Sequence, residues 1–205
     1  MISRRGFVAG SLAIATFGSP SFAEEDDILS EALVLRDPAI PVAGNPKGDI
    51  SIVEFSDYQC PYCKKVHPVL EKVVREDGNI RLIYKIWPVF GAASVYAAQM
   101  ALAARGQKKY VEAHRALMAM NDRLNETTTD RTLAGIGIDV AEAKANLRKN
   151  IKEIGAVLKR NHEQAQAFGF QGTPSFIIGK FRVPGAHPEE VFKAAIADAR
   201  KALKK

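Results

Sequence analysis

The sequence predicts an α/β fold, in which a sheet is interrupted by an inserted all-helical subdomain. Two apolar runs, 50–55 and 80–87, flank a stretch of helical periodicity at 61–77, and this order is typical of a parallel βαβ unit. Residues 92–169 contain only helical patterns, and 174–183 predicts a short antiparallel hairpin before a last helix. The strands therefore fall into two groups that are distant in sequence and join in one sheet.

The chain of 205 residues divides into a leader, a sheet domain and the helical insert. We predict a cleaved signal peptide at 1–23, an N-terminal segment with a turn-rich connector at 24–48, a sheet domain at 49–91 and 170–205, and the insert at 92–169. A hydrophobic content of 47% suits one globular domain with room for such an insert.

The leader has the pattern of an export signal. Arg4 and Arg5 precede an uncharged stretch that ends in small residues, and cleavage is expected after Ala23. The paired arginines and the weakly hydrophobic middle resemble a twin-arginine signal, and the general secretion route stays open. A retained anchor is the alternative, but the apolar stretch is short and interrupted by glycine and proline. We expect a periplasmic or secreted bacterial protein without a membrane anchor in its mature form.

Charge and cysteine content argue against nucleic-acid binding and for thiol chemistry. The formal net charge is +6 and is spread along the chain, as on a solvated surface, so no nucleic-acid partner is predicted. Both cysteines lie in a single motif, so an exported protein of this sequence has no second disulfide to form. Export makes thiol chemistry on other exported proteins the natural activity.

The motif Cys60-Pro61-Tyr62-Cys63 carries that chemistry. Pro61 is accepted at the first position of a helix, so Cys60 is predicted at the helix N-terminus, where free N–H groups and the helix dipole stabilise a thiolate. Cys63 lies one turn further on, within reach of a disulfide. We predict that Cys60 is the exposed nucleophile and that Cys63 is the shielded thiol that resolves a mixed disulfide.

Three other interpretations of the cysteine pair compete with this one. A structural disulfide is disfavoured because a bridge that closes so short a loop removes little unfolded-chain entropy. A zinc site would use His67, one turn after Cys63, but the remaining histidines lack zinc-finger spacing, and we expect His67 on the helix surface. Two thiols without a function are the third possibility. No metal is predicted.

The second informative element is Gly172-Thr173-Pro174, at the start of a predicted buried strand. A proline there is unusual unless its ring points away from the ladder or its peptide bond is cis. A cis Thr173–Pro174 bond would leave the Thr173 backbone free to pair with an extended substrate. An ordinary trans proline is the alternative, and the upstream cysteine motif favours the cis form.

Together these motifs resemble the thioredoxin-like fold of DsbA-type exported thiol:disulfide oxidoreductases, over roughly Asp49–Lys205. The resemblance implies that Thr173 and Pro174 form a substrate-binding cis-proline loop, with Pro61 and Tyr62 as further substrate contacts. It also implies that Glu54 is the buried acid beneath the active site. Such a carboxyl would have a pKa raised by burial and could exchange a proton with Cys63, whereas a solvent-facing Glu54 is the alternative.

The resemblance implies an enzyme that introduces disulfides into unfolded or partly folded exported proteins. Its redox group is the Cys60–Cys63 disulfide, without another cofactor, and a membrane quinone-linked thiol oxidase would regenerate it. The most oxidising members carry histidine where Tyr62 stands, and Thr173 also resembles the isomerase-leaning relatives. An isomerase or reductant kept reduced by a membrane electron donor, and a redox-independent peptide-binding chaperone, are therefore alternatives. We expect a monomer.

Overall fold

A computed structural model describes residues 27–204 of the protein, so the signal peptide predicted at 1–23 lies outside the described part. The strands are β1 (Val42–Gly44), β2 (Ile50–Ser56), β3 (Ile80–Ile86), β4 (Ser175–Ile178) and β5 (Phe181–Pro184). They form one five-stranded sheet with the strand order β1-β3-β2-β4-β5. The pair β2 and β3 is parallel, and the other neighbours are antiparallel.

Helices connect and cover these strands. The helices are α1 (Glu31–Leu35), α2 (Pro61–Asp77), α3 (Ala92–Ala103), α4 (Tyr110–Ala119), α5 (Glu126–Gly135), α6 (Val140–Lys149), α7 (Ile151–Ala167) and α8 (Glu189–Leu203), with a 3₁₀ turn at Ala104–Gln107. The helix α2 joins the parallel pair, and four helices, α3 to α6, precede the long α7, which contacts β3. This architecture confirms the predicted α/β class.

The ends of α2 follow from its sequence. Pro61 occupies the first turn, and Gly78 ends the helix in the left-handed conformation at φ 69°, which glycine adopts without a Cβ clash. A stripe of buried side chains, which includes Val66, Leu70 and Val73, faces the core, while Pro68 is exposed. The helix is thereby held firmly with its N-terminus at the end of β2.

The structure corrects the prediction for the connector within 24–48. Residues Val42–Gly44 form the edge strand β1, which pairs antiparallel with β3 from Val42 opposite Ile83 to Gly44 opposite Arg81. A strand of three residues is too short for a periodic pattern, and here pairing with a long neighbour decides its conformation. The N-terminal segment is therefore part of the sheet.

The last helix, α8, packs against α2, β2 and β4. Arg200 on α8 forms ion pairs with Asp49, just before β2, and with Asp77 at the end of α2. These contacts join the C-terminal helix to the βαβ unit. No helix within residues 27–204 combines the length and the apolar character needed to cross a bilayer.

Candidate active site

The two cysteines lie where β2 passes into α2. Cys60 is the N-cap residue of α2, with an extended backbone, and its Sγ accepts a hydrogen bond from the backbone N–H of Cys63 at 3.3 Å. The backbone N–H of Cys60 in turn donates to the Asp57 carbonyl at 3.1 Å. Both cysteines are free thiols in this structure. The sulfur of Cys60 thus accepts the hydrogen bond that a side-chain oxygen usually accepts at a helix N-terminus.

The surroundings assign opposite protonation states to the two sulfurs. The pKa of Cys60 is lowered to about 6, first by the hydrogen bond from the Cys63 thiol and also by the backbone N–H groups of Cys63 and Tyr62. Burial, followed by the hydrogen bond to Cys60, raises the pKa of Cys63 well above its usual range. At neutral pH Cys60 is therefore a thiolate, and Cys63 keeps its proton.

The prediction of an exposed Cys60 was wrong. Only 1% of Cys60 is exposed, against 0% of Cys63, because the cis-proline loop lies against it: the Cys60 Sγ lies 3.3 Å from the Thr173 carbonyl oxygen. The exposed residues of the motif are Pro61 and Tyr62, and Tyr62 is 64% exposed. The dipeptide between the cysteines is therefore the part of the motif that reaches the surface.

The Thr173–Pro174 peptide bond is cis in the structure. The loop is held by the Pro174 carbonyl, which accepts from the Gly185 N–H at 2.9 Å, and by the Ser175 hydroxyl, which donates to the Gly172 carbonyl at 2.7 Å. Beside it runs a groove of about 520 Å³, whose lining includes Phe168, Phe170, Thr173 and Pro174. Gln171 and Arg182 also line the groove, which reaches the cysteine pair at Thr173.

The buried Asp57 fixes the loop between β2 and α2, and the sequence analysis missed it. Its carboxylate accepts hydrogen bonds from the Gln59 N–H and the Ser94 hydroxyl, and from the N–H groups of Val89 and Phe90, at 2.6–3.1 Å. A carboxylate that is buried with such donors is a structural anchor. The available signal was an acid directly after a buried strand.

Glu54 lies on β2 beneath the cysteines. Its side chain is fully buried, and neither carboxylate oxygen has a hydrogen-bond partner within the described residues. Burial raises the pKa of Glu54 to about 8, and the charges of Glu71 and Cys60 contribute. Glu54 is also one of the charges that raise the pKa of Cys63. A buried carboxyl that holds its proton near neutral pH thus lies within electrostatic reach of both sulfurs.

His67 is buried, which corrects the prediction of a surface residue. Only 7% of it is exposed, and its ring lies 5.1 Å from that of the fully buried His114 on α4. Donor atoms of Glu54, His67 and His114 lie within 4.8 Å of one another, and three such ligands could hold a transition-metal ion. The missed signal was the position of His67 in the buried stripe of α2, and nothing in the sequence pointed to His114.

An acidic thiol beside a protonated partner, at a helix N-terminus and facing a cis-proline loop, defines a thiol:disulfide oxidoreductase. Residues 37–198 match the family model described as thioredoxin, and the chain therefore belongs to the thioredoxin family. Its structural neighbours include DsbA-type proteins, which confirms the resemblance found in the sequence.

Several solved structures are similar over most of their length. A thioredoxin-like oxidoreductase from Silicibacter pomeroyi is 39% identical, with a TM-score of 0.80, and the match covers 84% of this chain and 98% of that one. The thiol-disulfide exchange protein α-DsbA2 from Wolbachia pipientis is 27% identical, with a TM-score of 0.74 and coverage of 79% and 88%. The catalytic domain of Proteus mirabilis ScsC is 26% identical, with a TM-score of 0.73 and coverage of 82% and 93%.

Curated relatives fall into two groups. A probable disulfide bond formation protein D of Bacillus anthracis is 26% identical over 66% of this chain and 67% of its own length. A Na⁺/H⁺ antiporter, NhaA 1 of Mycobacterium sp. (strain KMS), is 25% identical over 70% of this chain but only 24% of its own length. The chain thus spans about a quarter of the antiporter relatives.

Proposed function

We propose that the protein is an exported oxidoreductase that introduces disulfides into other exported proteins through Cys60 and Cys63. The observation that carries this proposal is the opposed protonation of the two sulfurs, with a pKa of about 6 for Cys60 and a raised pKa for Cys63. Because only a thiolate leaves and attacks readily, this arrangement directs exchange with substrates to Cys60.

In the oxidised protein, a substrate thiolate attacks Cys60 Sγ and breaks the Cys60–Cys63 bond. The new bond joins the substrate to Cys60, and the electron pair of the broken bond leaves on Cys63. A second substrate thiolate then attacks the substrate sulfur of the mixed disulfide and releases Cys60 as a thiolate. The substrate has lost two electrons, and the protein has gained them.

Glu54 supplies the proton that the departing Cys63 sulfur needs. With a pKa of about 8, its carboxyl holds a proton at neutral pH and can pass it to a thiolate whose pKa is higher. In the reverse direction, the ionised Glu54 accepts the proton of Cys63 when Cys63 attacks a mixed disulfide at Cys60. Glu54 is thus the proton donor in one direction and the proton acceptor in the other.

The direction of exchange depends on how far the thiolate stabilises the reduced form. A Cys60 pKa of about 6 instead of 9.0 favours the reduced form at pH 7 by about 1.4 kcal/mol, or about 30 mV for this two-electron couple. This shift makes the disulfide a better oxidant. A membrane quinone-linked thiol oxidase would restore the disulfide after each cycle.

Export and the substrate class rest on three further arguments. The pattern of residues 1–23 is that of a cleaved signal peptide. A periplasmic thioredoxin-like protein from Salmonella enterica serovar Typhimurium is 28% identical, with a TM-score of 0.73. The groove beside Pro174 combines the rings of Phe168 and Phe170 with polar groups, which suits an unfolded or partly folded chain with a cysteine better than a small polar thiol.

The reduction potential of the cysteine pair tests this proposal. Equilibration in glutathione buffers, followed by counting of free thiols, should give a value above about −200 mV, towards the −120 mV of a strong disulfide donor. The Cys60→Ser variant should show no redox transition and should form no disulfides in a reduced, unfolded substrate. A value at or below about −200 mV would contradict a donor.

An isomerase or reductant is the second candidate, and one observation favours it. Tyr62 is 64% exposed at the position next to Cys63, and a phenol offers no positive charge to the Cys60 thiolate. Such a protein would be kept reduced by a membrane electron donor. Trapping of the thiols in cells separates the two candidates, since a donor is isolated oxidised and an isomerase reduced.

A further inference from the structure

Three buried side chains from three different elements converge beneath the cysteine pair. Glu54 lies on β2, His67 on α2 and His114 on α4, and one donor atom from each lies within 4.8 Å of the other two. Glu54 and His114 are fully buried, and His67 is 7% exposed. The fold therefore gathers three ligand side chains from the sheet, the cysteine helix and the helical insert.

The polar atoms of this cluster have no partner within the described part of the chain. Both carboxylate oxygens of Glu54 lack a hydrogen bond there, and so do Nδ1 of His67 and Nε2 of His114. Buried polar atoms are nearly always paired, because a buried atom without a partner is costly. A cluster of such atoms indicates a ligand that the chain itself does not supply.

His114 is held in the orientation that a metal ligand needs. Its Nδ1 lies 3.1 Å from the Tyr58 hydroxyl, and its ring stacks on that of Tyr84 with the centroids 3.8 Å apart. A histidine that binds a metal almost always forms a hydrogen bond through its other ring nitrogen, which fixes the ring and its tautomer. With Nδ1 beside Tyr58, the nitrogen of His114 that is left for a ligand is Nε2.

The donor set selects the class of ligand. Two imidazoles and one carboxylate suit zinc and neighbouring transition-metal ions, whereas calcium and magnesium prefer oxygen ligands alone. An ion about 2.1 Å from each donor would bring the donors to about 3.4 Å of one another, so atoms within 4.8 Å have to close by at most about 1.4 Å. Three protein ligands leave a fourth position for water.

We propose that Glu54, His67 and His114 bind one divalent transition-metal ion of the zinc class. This inference goes beyond the proposed function and does not depend on it. The ion would join β2, α2 and α4, and it would pair with a buried carboxylate. An ion on Glu54 takes the place of the proton, so the proton transfer proposed above belongs to the metal-free protein.

A buried site also needs a route by which the ion enters. His67 is the member of the cluster that reaches the surface. The ion pair of Glu71 and Arg115 lies near it, with side chains that are 20% and 46% exposed. Because an ion pair that is open to solvent is weak, its separation gives the ion access to His67.

Metal binding to the oxidised, chelator-treated protein tests this proposal. Oxidation closes the Cys60–Cys63 disulfide, so the thiols do not bind the ion. Titration with Co²⁺ should give visible absorption bands that saturate at one equivalent per chain, without the charge-transfer band of a cobalt–sulfur bond, and Zn²⁺ should displace the cobalt. Added Zn²⁺ should also raise the midpoint of thermal unfolding, since a ligand that binds the native state stabilises it.

Variants of the ligands should lose this binding. Glu54→Gln and His67→Gln should each weaken Zn²⁺ binding at least about 100-fold, because each removes one of three ligands and even the partners of ligands contribute 10–100-fold. Glu54→Gln keeps the shape of the side chain and removes a buried acid, so this variant keeps the test valid if His67→Gln fails to fold. Circular dichroism of each variant reports its fold.

Tyr58→Phe separates a metal ligand from a histidine that is merely packed. It keeps the aromatic ring and removes the hydroxyl beside His114, so it should weaken Zn²⁺ binding about tenfold. The matched controls are His162→Gln and His187→Gln, which replace the other two of the four histidines and should bind Zn²⁺ like the wild type.

The outcomes that would overturn the proposal are equally specific. They are an oxidised wild type without saturable binding, a Glu54→Gln variant that binds Zn²⁺ as tightly as the wild type, and loss of binding in a control variant, which would assign the ion to the surface. None of these measurements involves thiol exchange. Failure of the metal site therefore leaves the proposed function standing, and failure of the reduction-potential test leaves the metal site standing.

Discussion

The backbone N–H of Cys63 donates to the Sγ of Cys60 at 3.3 Å, and the Cys63 thiol is the largest influence that lowers the Cys60 pKa. The resolving cysteine therefore also activates the nucleophile. A substitution at Cys63 removes the thiol that resolves the mixed disulfide and also changes the pKa of Cys60. The effect on the pKa can be isolated by comparing a new side chain that keeps a hydrogen-bond donor with one that does not.

We expect the Cys60 pKa to be higher in Cys63→Ala than in Cys63→Ser. Alanine removes the side-chain donor, whereas the serine hydroxyl replaces it, and both retain the backbone N–H. Thiolate absorbance at 240 nm, followed across pH, measures the difference. Both variants should also accumulate mixed disulfides with a cysteine-containing substrate on a non-reducing gel. Equal pKa values in the two variants would contradict the role given to the Cys63 thiol.

Tyr62→His should make the protein more oxidising. The side chain at this position is 64% exposed, so the change leaves no cavity, and a protonated imidazole would stabilise the Cys60 thiolate. Each unit by which the Cys60 pKa falls should raise the reduction potential by about 30 mV. Tyr62→Gln is the neutral control and should stay near the wild-type value. If Tyr62→His had the same reduction potential as the wild type, the residue at this position would not determine the direction of exchange.

The buried Glu54 should make the stability depend on pH. Its folded pKa of about 8 lies above the unfolded value of 4.5, so this contribution is fully present below 4.5 and is lost as the pH rises towards 8. In the oxidised protein the Cys60 charge no longer raises the pKa of Glu54, but burial, the largest cause, remains, so Glu54→Gln should be more stable than the wild type at pH 7 by less than about 3 kcal/mol.

Urea unfolding from pH 4 to 8 measures this difference. The free energy of unfolding of the wild type should fall over this range by more than that of Glu54→Gln, because glutamine has no proton to lose. If both proteins lost stability in parallel, Glu54 would not be the group responsible.

Asp57 is expected to be a structural requirement of the active-site loop. Asp57→Ala would leave the part-buried N–H groups of Val89 and Phe90 and the buried Ser94 hydroxyl without their acceptor, at a cost of about 3 kcal/mol. Asp57→Asn keeps one oxygen acceptor and should lose less. Urea denaturation of the oxidised proteins measures both losses, and a loss below about 1 kcal/mol for the alanine variant would contradict the anchoring role.

The parts of the molecule with strong local signals could be predicted from the sequence. The strand, cysteine helix and second strand have clear periodicity, and Pro61 and Gly78 define the ends of the helix. The edge strand β1 has no such signal, because its conformation depends on pairing with β3.

The environment of the site was harder to predict than its residues. Cys60 is covered by the Thr173 loop, and His67 is buried against His114 of a distant helix. Both facts depend on contacts between segments far apart in the chain, which periodicity within one segment does not describe. The position of His67 in the apolar stripe of α2 was the one local indication of its burial.

The measurement that tests the account most directly is the pKa of Cys60 in the reduced protein. The rate of alkylation by iodoacetamide across pH reports the thiolate fraction, and Cys60→Ser provides the background from Cys63. We predict a midpoint near pH 6, because hydrogen bonds from Cys63 and the helix N-terminus stabilise the thiolate. A midpoint near the ordinary thiol value of about 8.5 would contradict the assignment of Cys60 as the activated nucleophile.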